Sequence, residues 1–183
     1  MLKTAALSAA LTLCLLQPRS AEGNEDAIQL PKINQPDIHI DGSLDEAVWA
    51  GLQGQSAMSI LAPDTLETPR FKTETRLFYT DRGLYVGILS EQPLDTLLPR
   101  LSSRDKDINR DGTSFYLDTT GQGLYGFFFG VNLGGSLRDG TLLPERQISA
   151  LWDGPWYGET AITENGYSTE MFLPWSMMQM PEQ

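Results

Sequence analysis

The sequence predicts an all-β fold, an antiparallel β-sandwich of jelly-roll or immunoglobulin-like architecture with one short N-terminal helix. Two observations carry this prediction. Segments rich in β-branched and aromatic residues recur at short spacing, and turn residues such as glycine, aspartate and asparagine separate them. Long stretches with the apolar spacing of an amphipathic helix are missing.

The first element is the stretch PDIHIDGSLDEAVWAG (36–51), which alternates like a short strand, turns at Asp-Gly and then favours a helix. Ser43 and Glu46 have the spacing of a capping box at the start of that helix. Trp49 occupies an apolar helical position and is predicted to lie in the core. Gly51 is predicted to end the helix.

The strands that follow are predicted as three hairpins. Their arms are TETRLFYT and LYVGILS around Asp-Arg-Gly, TSFYLDTT and LYGFFFGVN around a glycine-rich turn, and ETAIT and YSTEMFL around Glu-Asn-Gly. Pro174 is predicted to end the last strand. Glu170 is assigned to the polar side of that strand, and Asp139 is assigned to a turn.

The composition is typical of one globular domain and excludes one class of partner. The chain has 183 residues, of which 40% are hydrophobic and 20% charged. Its formal net charge is -11, which repels phosphate backbones, so nucleic acid is not expected as a partner.

The first residues predict export. Residues 1–23 begin with a positive charge, and their apolar run at 4–16 is too short to span a bilayer. Small residues follow the run, so a secretory signal peptide is predicted, and the protein is expected to be periplasmic, on the cell surface or associated with the outer membrane. A rival interpretation is a lipoprotein signal acylated at Cys14, the only cysteine. A linker over 24–35 and a sandwich over 36–183 complete the predicted organisation.

The acidic loop DKDINRDG (105–112) is a candidate calcium site. From Asp107 it has the D-x-N-x-D-G spacing of a helix–loop–helix site, with Asp118 at the twelfth place. The residues after the loop are β-prone rather than helical, so a calcium site of another shape is the better candidate. Four residues would supply its oxygen ligands: Asp105, Asp107, Asn109 and Asp111. The alternative is a solvated turn that is neutralised by its own basic residues: Arg104, Lys106 and Arg110.

Two tryptophans flank an irregular stretch and form a candidate ligand platform. Trp152 and Trp156 enclose Asp-Gly-Pro, and aromatic faces stack on the C–H faces of sugars. Asp153 would accept hydrogen bonds from sugar hydroxyl groups. The alternative is that both rings pack as core. Trp175, next to Pro174, is predicted to pack rather than to contact ligand.

No catalytic constellation is evident in the sequence. His39 is the only histidine, and no nucleophile motif accompanies it. No pair of carboxylates is placed to act on a glycosidic bond. A haem site would need a His–Met pairing, which the sequence does not indicate. The chain is therefore predicted to be non-catalytic, and any hydrolase activity is expected in a domain outside it.

Six phrases in order resemble one known family, the carbohydrate-binding module of family nine. They are IHIDGSLDEAVW (38–49), TETRLFYTDRGLYVGI (73–88), RDKDINRDGTSFYLDTT (104–120), FGVNLGGSLRDG (129–140), WDGPW (152–156) and GYSTEMFLPWSMM (166–178). The variant it resembles stands at the N-terminus of exported bacterial proteins, before a large domain thought to be an outer-membrane β-barrel. The resemblance implies a β-sandwich, sugar binding in the best-known members, and structural calcium in some.

The sequence departs from the sugar-binding members at their ligand positions. Those members hold a terminal sugar between two tryptophans, and the first of these falls near Ile108 in this chain. The arginine that precedes Val-Asn in the binders is replaced by Gly130. The second tryptophan belongs to a segment beyond residue 183, and a strand normally follows the EMFLPW segment, so the chain is expected to be truncated.

The expected function is therefore glycan binding by a non-catalytic module of an exported bacterial protein, associated with polysaccharide degradation or uptake. The alternative is a structural periplasmic or surface domain that docks on a partner domain or an outer-membrane barrel and binds no sugar.

Overall fold

The computed structural model describes residues 28–106 and 108–178, which form two four-stranded antiparallel sheets. The first sheet contains β1 (Thr73–Tyr79), β2 (Gly83–Glu91), β7 (Tyr157–Thr163) and β8 (Gly166–Pro174), in the order β1-β2-β8-β7. The second sheet contains β3 (Gly112–Leu117), β4 (Gly126–Asn132), β5 (Leu137–Leu143) and β6 (Gln147–Ser149), in the order β3-β4-β5-β6. The predicted all-β antiparallel sandwich is confirmed.

The three predicted hairpins are present. β1 pairs with β2, β3 with β4, and β7 with β8, each in antiparallel register. The last strand ends at Pro174, as predicted. The hairpin of β4 and β5 and the short strand β6 were not predicted, because glycines and charges interrupt that part of the sequence.

The helices are few and short in the described part of the chain. One α-helix, α1, spans Ala47–Ala50 and is followed by Gly51, as predicted. Short 3₁₀ turns cover Leu94–Thr96, Pro144–Arg146 and Trp175–Met177. Within the described ranges, none of these helices has the length and apolar character needed to cross a membrane.

The capping-box prediction for α1 is wrong. Glu46 is the N-cap residue, with an extended backbone (φ -68°, ψ 147°), and no side chain caps the helix. The Glu46 carboxylate instead accepts a hydrogen bond from the backbone N–H of His39 at 3.0 Å. Ser43 donates its N–H to Asp41 Oδ1 at 2.9 Å, which stabilises the predicted turn rather than the helix.

The described residues form two apolar clusters. The larger one fills the space between the sheets and includes Val86, Phe129 and Leu173. The smaller one lies on the other face of the first sheet, where Trp49 and Phe78 pack beneath the N-terminal segment. Trp49 is fully buried, which confirms its assignment to the core.

The N-terminal segment packs on the first sheet, and it begins earlier than the predicted boundary at residue 36. Ile33 donates its N–H to the Tyr79 carbonyl at 2.9 Å, and Tyr79 donates to the Pro31 carbonyl at 3.1 Å. The last part of the predicted linker 24–35 therefore belongs to the folded domain. The predicted signal peptide lies outside the described residues.

A buried carboxylate joins this segment to β8. Glu170 was assigned to the polar side of the strand, but its side chain is fully buried, so that assignment is wrong. It accepts hydrogen bonds from Trp49 Nε1 at 3.0 Å, from the Asp41 N–H at 3.0 Å and from the Gly42 N–H at 3.3 Å. This face of β8 is thus covered by residues more than a hundred positions away in the chain. Burial raises the pKa of Glu170 to about 7.

Candidate functional site

The acidic loop carries carboxylates that bond to the main chain. Asp105 Oδ1 accepts the N–H of Asp139 at 3.0 Å, and Asp111 Oδ2 accepts the N–H of Leu98 at 2.7 Å. Asn109 is exposed, and its carbonyl accepts a hydrogen bond from Arg100. Asp107 lies outside the described residues. Among the described residues, no group of three or more His, Cys, Asp or Glu side chains is placed to hold a metal ion.

Asp118, at the twelfth place of the calcium spacing, stabilises the β3–β4 turn instead. Its carboxylate accepts backbone N–H groups from Thr120 at 2.7 Å, Gly121 at 3.0 Å and Gly123 at 2.6 Å. These bonds lower the pKa of Asp118 to about 2, the Gly123 bond contributing most. The carboxylate is thus engaged in its own hairpin turn.

Arg104 joins the acidic loop to the tryptophan segment. Its guanidinium lies 2.8 Å from Asp139 Oδ1 and 2.6 Å from Asp153 Oδ1. Asp139, assigned to a turn from the sequence, is instead a fully buried residue of β5, and its other oxygen accepts the Gly154 N–H at 2.7 Å. Asp153, whose carboxylate the sequence predicts to contact sugar, is thus exposed but forms an ion pair with Arg104.

The two predicted platform tryptophans pack on the inner face of β4. Trp156 is 4% exposed, and its ring meets Phe129 edge-on with 5.3 Å between ring centroids. Trp152 is half-buried, with its ring 4.9 Å from Phe127 and 6.0 Å from Phe129. This is the core packing that the sequence left as the alternative, and it leaves Trp156 without an exposed face for a ligand.

The outer face of the second sheet carries a polar cavity. Phe115 and Phe129 point into the core, so Ser114 and Gly130, their neighbours along the strands, lie on the opposite face. Ser114 pairs with Gly130 and Gly130 pairs with Arg138, so these three residues form one row across β3, β4 and β5. We call the space above this row the outer cavity. Its volume is about 130 Å³, and it is lined by Ile108, Arg110, Asp111, Gly112, Thr113, Ser114, Gly130, Val131, Asn132 and Arg138.

Asn132 contributes a buried donor to the outer cavity. Its side chain is 4% exposed, and its Oδ1 accepts the N–H groups of Gly134 at 2.8 Å and Ser136 at 3.1 Å. These two bonds fix the orientation of the amide. Within the described residues its Nδ2 has no acceptor. A buried amide donor is costly to leave unsatisfied, so the position favours a ligand oxygen.

Charged side chains give the outer cavity a donor-rich lining. Arg110, which hydrogen-bonds to Ser102 Oγ, enters from the acidic loop, and Arg138 enters from β5. The acidic residue on the lining is Asp111, whose Oδ2 accepts bonds from the Leu98 N–H and, at 3.2 Å, from Gln92 Nε2. Among the lining residues that the structure describes, there are thus two arginines and one aspartate.

An exposed aromatic ring stands next to the outer cavity. Tyr116 is two residues beyond Ser114 on β3, and hence on the same face. It is 55% exposed, and its ring lies 6.3 Å from that of Phe128, a buried residue on the neighbouring strand. A ring that is more than half exposed is available for stacking on a sugar.

The fold is shared with solved structures. One is a carbohydrate-binding module of family nine from Caldicellulosiruptor kristjanssonii in complex with cellotriose, with a TM-score of 0.56 and 16% identity over 84% of this chain and 70% of that chain. The fold is that of a family-nine carbohydrate-binding module. A family-nine module from the same organism in complex with glucose matches with a TM-score of 0.53 and 16% identity, over 82% of this chain and 71% of that one. No family model and no curated protein matches the chain.

The two family-nine positions at which the sequence departs from the sugar binders lie together in the outer cavity. Ile108 and Gly130 both line it. Sequence reasoning missed Asn132, Arg138 and Tyr116. The alternation of β3 was the available signal for Tyr116, because it places that residue on the face opposite Phe115. The other two are brought to the cavity by pairing across strands, which the sequence alone did not reveal.

Proposed function

We propose that this domain is a non-catalytic carbohydrate-binding module whose ligand occupies the outer cavity and the adjoining face of Tyr116. The observation that carries the proposal is the buried Asn132 amide donor, which opens onto a polar cavity beside an exposed aromatic ring. The shared fold supports it, because modules of that fold have been solved with cellotriose and with glucose.

The residues have complementary tasks in this proposal. A sugar ring presents hydroxyl oxygens at its edge and C–H groups on its face. Asn132 Nδ2 and the Ser114 hydroxyl meet the edge, while Tyr116 stacks on the face. This assignment replaces the predicted platform of Trp152, Asp153 and Trp156, whose packing and ion pair supply structural roles.

The chain offers a matched pair of tyrosines for the test. Tyr157, on the outer face of the first sheet, is 62% exposed and its ring lies 6.3 Å from Phe172, the same separation as between Tyr116 and Phe128. Titration calorimetry with gluco-oligosaccharides should show Kd raised about fivefold by Tyr116→Ala, as expected for losing a stacking interaction of about 1 kcal/mol. Tyr157→Ala should leave Kd unchanged.

Equal effects of the two substitutions would refute the placement of the site. If the protein binds no oligosaccharide on a broad glycan array while remaining folded by circular dichroism, the module function itself is wrong. The alternative of a structural domain docking on a partner would then be the remaining hypothesis.

We also propose that the module belongs to an exported protein concerned with polysaccharide degradation or uptake. The predicted signal peptide over 1–23 and the family resemblance support this proposal. Expression with residues 1–23 and mass spectrometry of the secreted product would test it. A product that retains residues 1–23 in the cytoplasm would contradict it.

A further inference from the structure

We infer that the outer cavity takes an anionic sugar residue, one whose ring carries a carboxylate or another negatively charged oxygen group. This inference rests on the proposed function and deepens it by naming the ligand class. It begins from the absence of a side chain at Gly130. A Cβ placed there would lie 3.2 Å from Ser114 Oγ and 3.6 Å from Arg138 Cβ, so glycine leaves the space between these two residues open to a ligand.

The groups around that space are donors suited to negatively charged oxygen. A guanidinium carries five N–H donors in a planar fork, so it can bond a protein acceptor and a ligand carboxylate at the same time. Arg138 stands on the rigid strand β5, and Arg110 stands on the loop leading into β3. Asn132 Nδ2 adds a third donor, buried and held by its two backbone bonds.

The local charge differs from that of the whole chain. The protein has a formal net charge of -11, whereas the described residues that line the outer cavity include two arginines and one aspartate. That aspartate, Asp111, has one oxygen engaged by the backbone N–H of Leu98. A neutral sugar would meet these donors with hydroxyl groups, but a carboxylate meets them with charge-assisted bonds, which are shorter and stronger.

The test compares three oligosaccharides of equal length by titration calorimetry: a neutral glucan, a polyuronate and a sulfated glucan. We expect the wild-type protein to bind at least one anionic ligand tenfold or more tightly than the neutral one. Arg138→Gln should lower that ratio about tenfold, and Arg110→Gln should lower it in the same direction. Comparing the polyuronate with the sulfated glucan shows whether a carboxylate or a sulfate is preferred. A preference for either one over the neutral glucan supports the inference.

Arg82 provides the control for a general charge effect. It is exposed in the turn between β1 and β2, with its guanidinium 5.7 Å from the Phe172 ring, and Arg82→Gln removes the same charge away from the cavity. This variant should keep the wild-type ratio. Thermal melting would confirm that all three variants are folded.

The experiment distinguishes a failure of the anionic-ligand inference from a failure of the proposed sugar binding. Equal affinity for neutral and anionic ligands, unchanged in ratio by Arg138→Gln, would overturn the anionic class while leaving sugar binding intact. No binding to any of the three ligands by the folded protein would overturn sugar binding as well. A ratio lowered equally by Arg82→Gln would show long-range charge attraction and also overturn the inference.

Discussion

Glu170 provides a sharp test of the packing between the N-terminal segment and β8. Its carboxylate is fully buried and accepts three N–H groups, but no ion pair to it exists within the described residues. Removal from water favours the neutral acid and is the largest influence on its pKa, opposed by the bond from Trp49. The negative charge of Glu46 adds to the upward shift.

The pKa of Glu170 determines the size and the sign of its contribution to the free energy of unfolding. A rise from 4.5 to about 7 corresponds to roughly 3 kcal/mol. Below pH 4.5 the carboxyl group is protonated in both states, so its full contribution to stability is present. Between pH 4.5 and 7 the unfolded chain loses the proton while the folded chain retains it, so the free energy of unfolding falls. Above pH 7 both states are ionised and the dependence ends.

Urea unfolding of the wild type and Glu170→Gln between pH 4 and 8.5 measures this contribution. Glutamine does not titrate, and the other acids cancel between the two proteins. The wild type should lose stability relative to the variant by up to about 1.4 kcal/mol per pH unit between pH 4.5 and 7. A difference that is independent of pH, or that grows in favour of the wild type, would refute the proposed burial of this carboxyl group.

Two further predictions concern the residues singled out from the sequence. Trp156→Ala should lower the free energy of unfolding by about 3–5 kcal/mol in urea titrations, because it empties a core position, whereas Leu151→Ala, at a residue 97% exposed, should change it by less than about 0.5 kcal/mol. If Trp156→Ala keeps the stability of the wild type but loses glycan binding, Trp156 contacts the ligand, as the sequence predicted. Calcium binding by the acidic loop stays a prediction: calcium at a hundred times its Kd should raise the free energy of unfolding by about 2.7 kcal/mol over a chelated sample, and equal melting midpoints would contradict it.

The sequence predicted those parts of the fold that local chemistry determines. The hairpins were predictable because turn residues and alternating strands lie next to each other in the chain. The strand pair β4–β5 was missed because the segment LGGSLRDG, which contains the turn and the start of β5, is rich in glycine and charge. The capping box failed because Glu46 bonds to His39, a partner outside the four-residue motif.

The sequence predicts on which face of a sheet a side chain lies only where one face of its strand is exposed to solvent. Glu170 was misassigned because alternation cannot show that the N-terminal segment covers the outer face of β8. Trp156 and Asp139 likewise depend on contacts with distant residues, Phe129 and Arg104. The candidate site combines residues from a loop and three strands, so no contiguous motif marks it, and only the family resemblance indicated Ile108 and Gly130.

The order of the strands has a consequence for how the molecule assembles. β2 pairs along its length with β8, as in the pair of Gly83 and Pro174, while the whole second sheet comes from the continuous segment between them. The sheet that carries the candidate site can therefore form from neighbours in the chain. The other sheet must wait for β8, one of its two central strands, which follows the whole second sheet in the chain. Closing so long a loop makes this step slow, and its rate, rather than that of any hairpin, is expected to limit folding.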